Sequence, residues 1–242
     1  MIWNGIFAVL LVLSIIAVAP LLLKVKYLKC TGREKRKDEY VERVCRIWSR
    51  TILKLTGSKV KVTGADNIPK ETPVVFISNH QSYFDILVFL GYIPGYKSFI
   101  AKIETKKVPI FSGWMKELNC VFMDRSNLRQ SLESINNGIN NLKKGYSVVI
   151  FPEGTRSHKA AMSEFKAGSF KLATKSGVPV VPVTIRNTYK IWEEKRRIKA
   201  SNVEVTISKP ILTNSLTREE LRELPSKVYR IISNNLALAV QK

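Results

Sequence analysis

The stretch Asn79-His80-Gln81-Ser82-Tyr83-Phe84-Asp85 holds one of the two histidines of a 242-residue chain, with an aspartate five positions on. A neutral imidazole, whose ordinary pKa is about 6.5, can take a proton from a bound hydroxyl near neutral pH. A carboxylate that accepts the Nδ1 proton leaves Nε2 basic. Five residues advance a helix by about 500°, so His80 and Asp85 cannot share a helical face. They meet only if an apolar strand ends near Asn79 and a helix starts after Ser82, with Asp85 in its first turn. The same spacing describes a plain capping pair, Ser82 with Asp85, beside a histidine that merely closes a strand. Spacing alone leaves both readings open. No GxSxG occurs and no cysteine stands in a nucleophile's setting. Chemistry at His80 would therefore be direct transfer, an alcohol attacking a carbonyl without a covalent intermediate.

A second polar stretch, Phe151-Pro152-Glu153-Gly154-Thr155-Arg156-Ser157-His158, also follows an apolar run. Gly154 lets backbone approach a ligand, Thr155 and Ser157 offer hydroxyls, and Arg156 supplies a planar fork matched to phosphate or carboxylate. The GxxxxGK[ST] spacing is missing, so ATP is not expected. An ion pair between Glu153 and Arg156 is the structural alternative. Arg125, after Cys120-Val121-Phe122-Met123, and Lys102, after Phe99-Ile100-Ala101, add cations at the ends of apolar runs. Singly each reads as a solvated charge; together, beside one histidine, they point to a phosphomonoester held near a base. The run Val178-Pro179-Val180-Val181-Pro182-Val183 has two prolines, which favours an edge strand or a bulge. Its functional alternative is an apolar wall for a chain-like substrate.

The elements that must position these groups are legible in outline. Residues 2–23 carry no charge, and as a helix would extend about 33 Å, enough for a bilayer core. Lys24, Lys26, Lys29, Arg33, Lys35, Arg36 and Lys37 follow, which by the positive-inside tendency keeps the rest of the chain in the cytoplasm. Pro20 is placed to kink the segment. Val41, Val44, Cys45, Trp48, Ile52 and Leu55 recur at helical spacing within residues 38–56, giving a basic amphipathic helix for a lipid interface or for packing on the domain. The whole chain has 40 Lys plus Arg against 19 Asp plus Glu, a net +21. That implies a polyanionic partner, with nucleic acid, an anionic membrane surface and an acidic carrier protein as candidates. From Lys24 to Lys61 the basic excess is nine and abuts the apolar segment, which favours lipid over nucleic acid. Cys30, Cys45 and Cys120 lack metal-ligand spacing, so reduced thiols are expected and no metal.

From residue 59 short β-branched runs (59–64, 73–79, 98–102, 120–123, 147–151, 178–185, 203–208) alternate with helical patterns (85–91, 127–144, 168–177, 217–239). This predicts an α/β fold with a mixed, largely parallel sheet covered by helices. In such sheets ligands gather beyond the carboxyl ends of the strands, which puts both polar stretches on one rim. We expect membrane-anchoring helices over residues 1–56 and a catalytic domain over 57–242.

Four blocks in order, within residues 75–185, resemble the 1-acyl-sn-glycerol-3-phosphate acyltransferase family: Asn79–Asp85 its N-H-x-S-x-x-D block, Asn119–Arg125 its G-x-I-F-I-D-R block, Phe151–Ser157 its F-P-E-G-T-R-S block, and Val178–Val183 its fourth. Asn119 stands where the family's second block usually has glycine. The resemblance implies the glycerolipid acyltransferase fold, His80 as general base and Asp85 as its orienter. Arg125, Glu153, Gly154, Thr155, Arg156 and, secondarily, Lys102 would bind the phosphorylated acceptor, and Val178, Pro179, Val180, Val181 and Pro182 would support the site or the acyl chain. No cofactor is implied. The partners would be lysophosphatidic acid, an anionic membrane, and acyl carrier protein or acyl-CoA as donor, with the catalytic domain on the cytoplasmic side of the inner membrane. Rival readings are acyl transfer to another lysophospholipid or to glycerol 3-phosphate, and a non-catalytic basic protein binding membrane or nucleic acid.

Overall fold

The computed structural model describes residues 2–124 and 126–237. The apolar amino-terminal segment forms α1 (Ile2–Val18) and α2 (Leu21–Cys30). The break falls at Ala19-Pro20, because proline has no N–H to continue the helical ladder. The segment Ile2–Cys30 is long and apolar enough to cross a membrane. Then follow α3 (Glu34–Leu55), β1 (Lys59–Thr63), β2 (Val75–Ser78), α4 (Phe84–Tyr92), β3 (Lys97–Lys102), α5 (Pro109–Glu117), β4 (Val121–Met123), α6 (Leu128–Lys143), β5 (Ser147–Ile150), α7 (Lys171–Ser176), β6 (Val180–Arg186), β7 (Asn202–Ile207) and α8 (Arg218–Ala237).

The seven strands form one sheet in the order β1-β7-β6-β2-β5-β3-β4. Every neighbouring pair is parallel except β6 with β7. This is the mixed, largely parallel sheet that the alternating pattern predicts. The central strand β2 is buried along its whole length, as continuous apolar strands covered on both faces must be. One face carries a cluster of Phe76, Phe89, Phe99, Phe151 and Val181; the other carries Ile77, Ile139, Val148, Leu172 and Val228.

Three expectations change. The two-proline run is neither edge nor bulge: β6 lies between β2 and β7, with Val180, Val181 and Val183 fully buried. Its prolines sit where the missing N–H does little harm. The Pro179 carbonyl accepts from Val75 N and the Pro182 carbonyl from Ser208 N, and the antiparallel ladder begins only at Val183. The stretch 168–177 is a 3-10 turn over Ala167–Phe170 followed by the short α7, which closes at Gly177 with φ +72°. The helix α5 was not expected at all; nine residues opened by Pro109 are too few for a clear period. The last two residues of the predicted closing helix, 238 and 239, lie outside the described residues.

The two options for the amphipathic helix resolve toward packing. Val41, Cys45, Ile52 and Leu53 of α3 are buried, and Arg50 Nε donates to the Gly91 carbonyl at the end of α4 at 2.6 Å. Helix α1 is bound to the body too. Phe7 is buried in the sheet's core cluster, Trp48 Nε1 donates to Ser14 Oγ at 3.1 Å, and Asn4 bonds with the 196–198 loop. Its other face leaves Trp3, Ile6, Val9, Val12, Leu13 and Ile16 exposed.

Lys97 opens β3 almost wholly buried, its ammonium donating to the carbonyls of Ile93, Pro94 and Gly95 just beyond α4. Burial lowers its pKa to about 8. The unfolded chain, at 10.5, therefore holds this proton more firmly than the folded one. Stability should rise as pH climbs from about 8 to 10.5, by up to about 3 kcal/mol from this group. Denaturant titration of the detergent-solubilised protein should detect the rise, and Lys97→Met should remove it; an equal rise in the variant would assign it to other groups.

Candidate active site

Strand β2 delivers the first polar stretch, and Asn79 fixes where it leaves the sheet. The Asn79 side chain donates to the Ile185 carbonyl and accepts from Ile185 N, both at 2.8 Å, locking the strand end onto β6. The chain then turns so that Asp85, in the first turn of α4, reaches back to His80. Asp85 Oδ2 lies 2.7 Å from His80 Nδ1 and also accepts the backbone N–H groups of Gln81 at 2.7 Å and Ser82 at 2.9 Å. Oδ1 accepts from the Thr188 hydroxyl. A fully buried carboxylate ringed by donors is an acceptor toward each neighbour, so Nδ1 carries the ring proton and Nε2 presents its lone pair. Phe151 stacks on the imidazole, centroids 4.0 Å apart and planes 17° apart, and fixes the ring's tilt.

The second polar stretch follows β5 and is tied to the first at the histidine itself. His80 N donates to Glu153 Oε1 at 2.7 Å, and Ser157 N donates to the His80 carbonyl at 2.8 Å. Glu153 Oε2 accepts from Ser163 N at 2.8 Å. Burial raises the Glu153 pKa, while these two amides act the other way. Both oxygens are engaged and Glu153 does not line the cavity described below, so it holds the loops rather than facing a ligand. The Glu153–Arg156 ion pair, the structural alternative for this stretch, is absent among the described residues. Arg156 instead lies over the Tyr83 ring, 3.4 Å from its centroid, and pairs with Glu193 at 3.3 Å. Gly154 has φ +75°, and a Cβ there would come within 3.0 Å of Lys166 Nζ.

His80, Tyr83, Lys102, Gly154, Thr155 and Arg156 share the wall of one cavity of about 770 Å³. The rest of the wall is almost wholly apolar: Phe7 and Leu11 of α1, Cys45 and Trp48 of α3, Leu87 of α4, Phe111 and Trp114 of α5. The His80 imidazole and the Arg156 guanidinium thus border one hydrophobic chamber. Lys102 is exposed and paired with Glu104 at 2.7 Å. Val178, Pro179, Val180, Val181 and Pro182 do not line the chamber; they serve the sheet beneath it. Arg125 lies outside the described residues. Asn119 adopts φ +55°, as an asparagine in a glycine position can. Burial pushes the Cys45 and Cys120 thiols up to about 12, away from the thiolate a nucleophile needs.

Sequence reasoning missed Glu193 and Thr188. Glu193 is buried and gathers the Ser82 hydroxyl at 2.8 Å, Tyr83 N at 3.2 Å and Arg156. Both residues lie in the 188–199 loop, more than a hundred positions from His80. No local pattern marks them; the one signal is an acidic pair, Glu193-Glu194, inside an otherwise basic run.

A family model described as Acyltransferase matches residues 59–186, just over half of the chain. The chain belongs to the acyltransferase family. The 1-acyl-sn-glycerol-3-phosphate acyltransferase of Saccharomyces cerevisiae is 37% identical over 72% of this chain and 58% of its own length. A probable enzyme of the same name from Mycoplasma pneumoniae is 33% identical over 76% of this chain and 74% of its own. The crystal structure of the 1-acyl-sn-glycerophosphate acyltransferase PlsC from Thermotoga maritima superposes with a TM-score of 0.80 at 28% identity, covering 99% of this chain and 98% of that one. The chain spans about 58% of the length of the yeast and Brassica napus relatives. The match from 59 to 186 includes all four blocks and stops short of Glu193.

Two outcomes follow from the geometry. Asp85→Asn replaces an acceptor by a group that cannot serve all its donors, and should lower turnover by about 10²–10⁴-fold with the fold intact. Circular dichroism and steady-state rates check this, and near-normal turnover would break the pairing argument. Glu193→Ala should free Arg156 and the Ser82 hydroxyl, costing about 2 kcal/mol in stability, whereas Glu193→Gln should recover part of that. Equal losses in both variants would point to packing rather than these bonds.

Proposed function

We propose that this acyltransferase moves an acyl group from a thioester, acyl-ACP or acyl-CoA, to the sn-2 hydroxyl of 1-acyl-sn-glycerol 3-phosphate, making phosphatidic acid. The observation that carries the reading is the shared wall: His80, oriented by Asp85, and Arg156, held by Glu193, border one apolar chamber. His80 Nε2 takes the proton of the acceptor hydroxyl as its oxygen attacks the thioester carbonyl. The tetrahedral intermediate collapses with loss of the thiolate, and the imidazolium returns the proton to the sulfur. Arg156 binds the acceptor phosphate with the N–H groups that Glu193 leaves free. Arg125 and Lys102 are the further cations assigned to that phosphate. The apolar wall shields an acyl chain from water.

Helix α1 supports a monotopic attachment to the cytoplasmic leaflet. One face is bonded to the catalytic body along its length and the other is apolar and exposed, so the helix lies against the domain at the lipid surface instead of leaving it to span a bilayer. Lysophosphatidate then reaches the chamber from the membrane.

Purified protein incubated with lysophosphatidate and a thioester donor should release free thiol and yield phosphatidic acid by mass spectrometry. His80→Ala should abolish turnover without unfolding; near-normal rates would falsify the base assignment. Arg156→Ala should chiefly raise KM for the phosphorylated acceptor. A lower kcat at constant KM would count against phosphate binding, and preference for glycerol 3-phosphate or another lysophospholipid in a competition assay would replace the acceptor.

A further inference from the structure

The loop between β6 and β7 makes contacts that the transfer chemistry does not use. Lys195, Arg196, Arg197 and Lys199 are all exposed, within five positions. Glu194 is the one acidic residue between Glu193 and Lys199, so residues 194–199 carry a net +3. Among the described residues none of these four cations is ion-paired. The loop is nevertheless held in one shape. Ile198 is buried in the sheet's core cluster, Lys199 N donates to the Ile191 carbonyl at 2.9 Å, and Arg196 adopts φ +51°.

Its position gives the cations a partner. Ile198 N donates to Asn4 Oδ1 at 3.0 Å, and Asn4 Nδ2 donates to the Arg196 carbonyl at 3.3 Å. The loop is thus pinned to the first turn of α1, beside exposed Ile2, Trp3 and Ile6. The other basic group, Lys24 to Arg36, follows the far end of α1, whose 17 residues extend about 25 Å at ~1.5 Å per residue. An exposed apolar helix face with cations at both ends fits a helix lying along a membrane surface, its cations level with the headgroups.

We infer that residues 194–199 form an anionic-headgroup contact, with Lys195, Arg196, Arg197 and Lys199 binding lipids of net negative charge at the amino-terminal end of α1. The inference rests on the monotopic attachment given above. The favoured partner is lipid rather than an acidic protein, because the loop is bonded to the helix whose outer face is apolar. Glu193 belongs to the same loop, so the surface that meets the headgroups also holds Arg156.

The test uses the full chain in phosphatidylcholine vesicles doped with dansyl-phosphatidylglycerol or dansyl-phosphatidylcholine. Energy transfer from the tryptophans, Trp3 and Trp192 among them, reads lipid enrichment beside the loop. The wild type should favour the anionic probe, and salt at about 1 M, where the screening length is ~3 Å, should erase the preference. Lys195→Ser with Arg196→Asn and Arg197→Ser should lower the preference about threefold or more; asparagine at 196 tolerates the positive φ. The triple variant should keep its wild-type rate in nonionic micelles free of anionic lipid. An unchanged preference in the variant, or one insensitive to salt, overturns the inference. So does a variant that keeps the lipid preference but loses rate only with a donor on acyl carrier protein, which would assign the loop to an acidic protein. The fluorescence readout needs no turnover, so failure of the acyl-transfer reading is seen separately, as absent thiol release from the wild type.

Discussion

The site depends on a single buried carboxylate collecting donors from two other parts of the chain. Asp85 takes the His80 ring, the two amides that follow it, and the hydroxyl of Thr188. A charge withdrawn from water is tolerated only where its lone pairs are satisfied this completely. The same satisfaction fixes the tautomer of the imidazole. Because Asp85 stands in the first turn of α4, the helix amino terminus adds a favourable field. The turn after β2, the start of α4 and the 188–199 loop must therefore all be in place before His80 is correctly presented.

The second polar stretch joins that arrangement through backbone as well as side chains. Glu153 accepts the His80 N–H, and Ser157 donates to the His80 carbonyl. Both amide-level contacts bind the histidine's own peptide units, so the loops after β2 and β5 cannot shift independently. Arg156, three residues on from Glu153, inherits that registration. Tyr83 beneath it and Glu193 beside it limit where the guanidinium can swing.

How much of this was readable from the amino-acid order varies with the range of the interaction. His80 and Asp85 are five residues apart, and their meeting requires only a strand end and a helix start, both of which leave local marks. The alternation of apolar runs likewise marks the parallel sheet. The position of β6 did not follow, because proline speaks against interior strands unless one knows which ladder each residue enters. The alternative of a Glu153–Arg156 pair fell for a related reason. Proximity in sequence says nothing about which carboxylate a half-buried arginine finds, and Glu193 arrives from another loop. Helix α5 was too short for its period to register. The packing of α3 on α4 was undecidable locally, since an amphipathic face looks the same whether it meets lipid or protein.

The chamber's wall combines two duties that separate segments could have carried. Phe7 and Leu11 of α1 are lining residues of the space beside His80, while the opposite side of that helix is bare hydrocarbon. An unrelated apolar segment grafted in place of the first helix would thus restore the outer face yet leave a breach in the chamber, opening the space beside His80 to solvent. In this architecture the bare apolar face and the wall that closes the chamber belong to the same seventeen residues, and neither can change without the other.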